Sequence, residues 1–337
     1  MKKYSLIVRL LLIFVFTFFT SAIVYAQAGF SHDTSYYETY PDKLTTRLYL
    51  SQKYMHINFP NTGGKQDMEY KANPKLNLGV GVSWHNLSLN VFYGFAFLNN
   101  KDTSKGETKG LNLQVHLFPR KWAIDVLAAF PKGFYIDPKG YAAANANSYY
   151  YRPDMKFTLL GISAYRVPNK AKFSYRAAIV QTEWQKKSAG TLLYGGEAFY
   201  GTIKGDSAFV PKKVEPGFEQ AGVDKINFLN FGPGIGYAYT LVLAKHFYVT
   251  GSFIGNLDLS FSSEEKNSTK ENKVSVSPAT VYKAGLGYNS STWNVSANWM
   301  GNGLWINSSA ASKNYFSPTG IYRVVISKKL DIKKHSS

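Results

Sequence analysis

Apolar and polar residues alternate strictly along much of the chain. From Lys75 to Trp84 one face carries Leu76, Leu78, Val80, Val82 and Trp84, and the other carries Lys75, Asn77, Gly79, Gly81 and Ser83. Leu87, Leu89, Val91, Tyr93, Phe95 and Phe97 repeat the pattern against Ser88, Asn90, Phe92, Gly94 and Ala96. Leu111, Leu113, Val115 and Leu117 oppose Asn112, Gln114 and His116, and Trp293, Val295, Ala297 and Trp299 oppose Asn294, Ser296 and Asn298. Side chains of a strand flip face at each residue, so a period of two marks half-apolar strands and not helices.

Strand candidates fall at 44–58, 75–84, 87–97, 108–118, 121–130, 154–166, 173–185, 191–203, 228–242, 246–260, 279–289, 292–300 and 319–328. Short polar connections (85–86, 119–121, 168–171, 244–246, 290–291) alternate with longer ones rich in Asn, Ser, Lys and Gly (60–74, 99–108, 137–153, 261–278, 301–315). Short turns at one end and long loops at the other are the arrangement of a transmembrane β-barrel. Alternation alone also fits a soluble sandwich. Against that stand the small or polar residues on the other face, the aromatics towards strand ends (Trp84, Tyr93, Trp122, Trp184, Trp293, Trp299), and segment lengths approaching the roughly 9–11 residues of a membrane-crossing strand.

The thirteen candidates conflict with the even strand numbers of single-chain bacterial barrels. If every short turn lies on one side, 186–227 must begin and end on the other, which makes 191–203 a non-spanning element or a bent extension of its neighbour. The expectation is an all-β, single-chain antiparallel transmembrane β-barrel of twelve strands, with ten and fourteen as the neighbouring counts.

The N-terminus adds a location. Lys2, Lys3 and Arg9 precede or interrupt an apolar run from Leu6 to Phe19, and Ala26 and Ala28 form an Ala-x-Ala cleavage pattern. The plan that follows is a signal peptide over 1–26 (cleavage alternatively after 28), a periplasmic segment over 27–43, a barrel over 44–328 and a basic tail over 329–337. An uncleaved membrane anchor is the competing reading of the first segment. The absence of cysteine excludes a lipoprotein anchor, disulfides and thiolate metal sites. With 25 Tyr, 23 Phe and 28 Gly, the chain is aromatic and glycine-rich although its mean hydropathy is slightly negative, as alternating lipid-facing and water-facing positions require.

The formal charge of +18 points to anionic partners. The basic residues are scattered through turns, loop edges and the tail at Lys328, Lys329, Lys333 and Lys334, without a nucleic-acid-binding motif, so lipid phosphates, lipopolysaccharide among them, and small anionic solutes are the expected partners. A solvated set of loops is the plainer reading of the same charge.

The stretch KFSYRAAIVQTEWQKKSAG at 172–190, with YRPD at 151–154, GDS at 205–207, GYAY at 236–239 and GYN at 287–289, resembles the domain-of-unknown-function 4421 family. The resemblance runs from about Arg47 to Lys328. It implies an exported bacterial protein with an outer-membrane barrel, and it implies no activity.

A candidate site comes from polar strand faces. Gln181, Glu183, Gln185 and Lys187 share one face of the 173–185 segment, and Asp154, Lys156, Thr158 and Arg166 share one face of 154–166. If both point inward, opposite charges pair across strands and form either a constriction for an anionic solute or a structural lumen network. A lipid hydrolase is the enzymatic alternative, and it needs a serine oriented by histidine and a third polar group. His116 occupies an inward strand position within reach of Asp125, but no Gly-x-Ser-x-Gly elbow occurs. No cofactor, metal site or catalytic set is therefore expected. The functional expectation is a small pore or a barrel that binds solutes or partners, with a plugged structural barrel beside the hydrolase as the alternatives.

Overall fold

The computed structural model describes residues 31–64, 66–84, 87–99 and 104–332. The expected signal peptide and residues 333–337 of the expected tail lie outside the described residues. The strands in chain order are β1 (Tyr37–Thr39), β2 (Lys43–Phe59), β3 (Met68–Lys71), β4 (Asn77–Trp84), β5 (Leu87–Tyr93), β6 (Asn112–Leu117), β7 (Trp122–Ala129), β8 (Lys132–Asp137), β9 (Tyr150–Arg166), β10 (Glu183–Gln185), β11 (Ala189–Lys204), β12 (Val223–Leu243), β13 (Phe247–Lys266), β14 (Thr269–Asn289), β15 (Trp293–Ile306) and β16 (Tyr315–Asp331).

All the pairings are antiparallel, and β2, β3, β8, β9 and β11 to β16 close into a ring of ten strands. The expected twelve continuous strands are thus corrected. The reason lies in two long strands that change partner along their length. β2 pairs with β4 over Thr45–Ser51 and then with β3 over His56–Phe59. β9 pairs with β8 at its N-terminal end and with β7 over 159–166. β4 and β5 form one hairpin and β6 and β7 another, but among the described residues no pairing joins β5 to β6. Below the closed ring, on the side of the short turns, the wall therefore carries a seam.

Two segments expected as uncertain or irregular are regular wall. The doubtful 191–203 segment is β11, paired along its length with β12 and with β9. Its glycines admit neighbouring rings: a Cβ on Gly201 would collide with the Phe228 ring. The expected loop at 261–278 is the far end of the β13–β14 hairpin, closed at Asn267 and Ser268 with φ of 49° and 67°. Two successive residues at positive φ suit the twist of a tight hairpin.

The 173–185 segment is not a wall strand. Residues 168–188 fold into the lumen as a plug, with a π-helical turn at Arg176–Val180 that buries Ala177, Ala178 and Ile179. β10 follows and pairs with β1, so part of the N-terminal segment is woven into the same plug. An apolar run packed on all sides has no reason to alternate, and the run Ala177–Val180 does not.

Around the wall, outward side chains form an apolar belt. On β13 the exposed set includes Phe247, Val249, Phe253, Leu257, Leu259 and Phe261, while Thr250, Ser252, Asn256, Asp258 and Ser260 are buried on the other face. β12 contributes Leu229, Phe231, Ile235, Tyr237, Tyr239 and Leu241 to the same belt. The lumen contains two apolar clusters. One at the loop end gathers Phe59, Tyr70, Phe134, Phe157, Phe209 and Phe228, and one at the turn end packs Phe118, Phe173, Tyr175 and Ile179 of the plug region against Leu193 and Ile254 of the wall.

Candidate functional site

The plug collects the polar half of the sequence signature. Glu183, with its side chain 2 % exposed, receives Arg120 Nη1 at 2.6 Å and Ser174 Oγ at 2.5 Å, with Arg176 Nε at 3.6 Å. The Gln185 side chain donates to the carbonyls of Lys172 at 2.6 Å, Lys187 at 3.0 Å and Tyr36 at 3.2 Å, and accepts from the Ser174 amide at 3.0 Å. Gln181 sits at φ 62°, closes the π-helical turn with its backbone N–H on the Arg176 carbonyl, and donates from its side chain to the Ile179 carbonyl at 2.7 Å. Lys187 reaches Ser35 Oγ at 3.3 Å at the exit of the plug. These four residues thus come together, within a folded plug rather than along one face of a wall strand.

Asp154, Lys156 and Arg166 do not join them. On β9 the buried positions are Arg152, Met155, Phe157, Leu159, Ser163 and Tyr165. Beyond the register shift against β8 the face of Lys156 and Arg166 points away from the lumen, and Asp154 lies at the shift beside the buried Arg152. The expected inward orientation is corrected, and the physical reason is position along the strand. At the loop end β9 stands clear of the apolar belt, whose share on this strand is carried by Ile162, and there the wall has an apolar inside and a polar outside. Arg166, at the turn end, lies over the Trp122 ring at 4.8 Å.

Asp154 instead anchors a loop. Arg152 forms two bonds to its carboxylate, at 2.8 and 2.7 Å, and also donates to the carbonyls of Ala208 at 2.8 Å and Ser207 at 3.0 Å. The Asp206 amide donates to Asp154 Oδ2 at 2.9 Å. The Arg152 guanidinium holds the Asp154 carboxyl well below the usual carboxylate range. A carboxyl depressed on folding adds stability above its unfolded value, about 3.9, and loses it as pH falls through the lower folded value. The 205–210 segment should therefore stay docked at pH 4 and loosen only in stronger acid. Asp154→Asn should release it at neutral pH at a cost of roughly 1.5–3 kcal/mol, read by proteolysis of this loop in the purified protein. Unchanged protection in that variant would contradict the anchor.

Between the two apolar clusters the lumen has a polar waist. β6 and β7 place His116 opposite Asp125, Nδ1 to Oδ1 at 2.6 Å, and Lys283 from β14 reaches Asp125 Oδ2 at 2.6 Å. Tyr165 donates to Glu197 at 3.0 Å and contacts Asn256 Oδ1 at 2.8 Å, and the Asn256 amide donates to the same Glu197 oxygen at 3.0 Å. Gly234 leaves the room that the Asn256 side chain occupies. Beside His116 and Lys283 lies a small cavity of about 20 Å³, lined also by Gln114, Ser163 and Asn302.

The His116–Asp125 approach matches the expectation drawn from strand register. Ser163 is Asp125's cross-strand partner on β9, so the carboxylate stands between histidine and serine. A relay for acyl transfer needs the imidazole in the middle. Sequence reading missed Lys283, Glu197 and Asn256. The signal for Lys283 was available: it is a single cation in register with Val281 and Gly285, within an otherwise apolar or small face.

Among solved structures, the chain is similar to the outer-membrane expressed OmpT of Vibrio cholerae at 9 % identity, over 86 % of this chain and 99 % of that one, with a TM-score of 0.28. It is also similar to Ail of Yersinia pestis at 8 % identity, over 86 % and 100 %, with a TM-score of 0.20. The outer membrane protein OprG of Pseudomonas aeruginosa aligns at 12 % identity over 89 % and 100 %, with a TM-score of 0.21. No curated protein matches the sequence. A family model described as a domain of unknown function (DUF4421) matches residues 31–325. The chain belongs to the DUF4421 family.

Proposed function

We propose that this protein is an outer-membrane barrel closed to through-flow, whose polar waist serves binding rather than conduction. The membrane reading is supported by the apolar belt. Phe247 to Phe261 on β13 covers roughly 30 Å at the rise and tilt of a barrel strand, close to the hydrocarbon thickness of a bilayer. Among the described residues no helix is long and apolar enough to cross a membrane, so the strands are the elements available to do it. The aromatics Trp84, Trp293 and Phe247 are exposed at the turn end of the belt, the position of an interfacial girdle. Short turns and the plug then face the periplasm, and the long loops face outward.

The observation that carries the binding reading is occlusion at both ends. The plug fills the periplasmic mouth with buried Ala178, Ile179 and Tyr175, and the aromatic cluster around Phe59 and Phe157 fills the outer half. Close-packed side chains leave no continuous water path for ions. In planar bilayers the purified protein is expected to be silent. Steady conductance steps from the unaltered chain would overturn this reading in favour of a pore. Failure to sediment with outer membranes would overturn its location.

A further inference from the structure

The seam between β5 and β6 lies beside cations that have no counter-charge among the described residues. Arg47 and Lys53 on β2 and Arg323 on β16 share the inward face of adjacent strands, with Lys53 paired to Ile321 and Arg47 to Ser327. Arg47 is 7 % exposed. Its terminal nitrogens donate to Ser83 Oγ at 2.7 Å, the Val180 carbonyl at 3.1 Å and Asn90 Oδ1 at 3.3 Å, all of them neutral acceptors. The Arg323 guanidinium lies 5.2 Å from the Tyr49 ring. The Nε atoms of both arginines are buried without a hydrogen-bond partner. The Lys53 ammonium donates to the Asn112 carbonyl at the edge of β6, and lies 5.1 Å from the Phe92 ring on β5. Among the described residues no carboxylate comes within ion-pair distance of any of the three.

Such charges are costly to bury, and a fold that keeps them usually neutralises them with an anion. The plug and the waist follow that rule internally, with Glu183 against Arg120 and Arg176, and Asp125 against Lys283. The β2–β16 cations do not. The adjacent strand β4 is thinned beside Arg47 and Tyr49: a Cβ on Gly81, the cross-strand partner of Arg47, would meet Arg47 Cγ at 2.8 Å, and one on Gly79, the partner of Tyr49, would run into the Tyr49 ring. The two free edges are apolar on the outside. β5 exposes Leu89, Val91 and Tyr93, β6 exposes Leu113 and Val115, and Phe92 is exposed on the inner side of β5.

We propose that the β5–β6 seam is a lateral site for a single-chain anionic amphiphile, whose phosphate or carboxylate head is held by Lys53 and Arg323, with Arg47 adding positive charge further along the same face, while its tail leaves between β5 and β6. An arginine fork and a lysine ammonium suit a multiply charged oxyanion, and the apolar strand edges continue into the belt that a bilayer would cover. The site rests on the membrane seating argued above, because a tail leaving through the wall has to enter a bilayer.

The test uses the full-length mature protein in a neutral detergent, with n-dodecyl phosphate as the probe, titrated calorimetrically and followed by phosphorus NMR. Saturable one-to-one binding is expected, with inorganic phosphate at least tenfold weaker and dodecyltrimethylammonium not competing. Arg323→Gln and Lys53→Gln should each weaken dodecyl phosphate by about tenfold or more. In the ligand-free protein the thermal midpoint of Arg323→Gln should be unchanged or raised, since the variant removes a buried charge that lacks a partner. If Arg323→Gln does not insert, Lys53→Gln carries the same comparison. Equal binding of the cationic amphiphile, or unchanged affinity in both variants, would overturn the site. Phosphate binding as tightly as dodecyl phosphate would overturn the lateral route in favour of a soluble anion. These readouts are made in micelles, so they stand apart from outer-membrane fractionation: a protein that fractionates correctly but lacks this selectivity loses the site alone.

Discussion

Glu183→Ala is expected to unlatch the plug and to cost about 3–5 kcal/mol of stability, the scale for removing one partner of a buried ion pair. The carboxylate is the common acceptor for Arg120, Arg176 and Ser174, and its side chain is 2 % exposed, so alanine leaves two guanidinium groups facing a low-dielectric pocket with their shared anion gone. Ser174 also receives the Ala177 amide on its oxygen at 3.2 Å, so the loss spreads into the π-helical turn. Denaturant unfolding should show the drop. Trypsin should cut within 168–188 in the variant and spare that segment in the parent. Because the plug fills the turn-end mouth of the lumen, the variant is also the one in which conductance steps should first appear. Glu183→Gln, which keeps an acceptor for Ser174 but removes the charge, should fall between the two. A variant as stable and protease-resistant as the parent would mean that Phe173, Tyr175 and Ile179 hold the plug by packing alone.

The plug is also where sequence reasoning and structure part company. Gln181, Glu183 and Gln185 do alternate with Thr182 and Trp184, and on that evidence the segment reads as a strand. Their common property turns out to be tertiary: each satisfies the backbone or the cations of a compact loop, which periodicity cannot express. β9 fails for a different reason. Met155, Phe157 and Leu159 alternate correctly, but which face of an alternating strand is wet depends on whether it stands inside or outside the apolar belt, and that is a property of the whole barrel. The outer end of β13 and β14 offers no apolar alternation at all between Ser262 and Ser275 except Val274, because both faces there meet water or loop atoms. Its Asn267–Ser268 turn was nonetheless readable, since asparagine tolerates positive φ.

What the alternation did carry was the belt. Leu78, Val80 and Val82, and then Leu89, Val91 and Tyr93, fall on one face of β4 and β5 in register, Val80 opposite Val91 and Val82 opposite Leu89. The same alternation puts His116 at an inward position within reach of Asp125, and the β6–β7 register pairs the two. The ten-strand closure was beyond its reach, because it depends on β2 and β9 each passing from one partner to another partway along. β3, only four residues long, lies in a stretch that composition marks as a loop.

The second large effect is expected at the waist. Asp125→Ala should destabilise the barrel by about 3–5 kcal/mol, because the Lys283 side chain, 2 % exposed, would keep its charge with no carboxylate in reach. His116→Ala should cost less, roughly 1 kcal/mol, since Asp125 keeps its ion pair across the lumen and loses a single hydrogen bond. The informative variant is the double replacement Asp125→Leu with Lys283→Met. It removes both charges and fills the same space with apolar atoms, so it should recover most of the stability lost in Asp125→Ala. A double-mutant cycle built on these positions should then give a coupling of up to about 3 kcal/mol. If the double variant is as stable as the parent but no longer takes up a ligand that the parent binds, the pair is retained for binding rather than for folding. If the double variant is no more stable than Asp125→Ala, the β7–β14 bridge is a strut of the barrel, and the volume beside it is a consequence of packing around that strut.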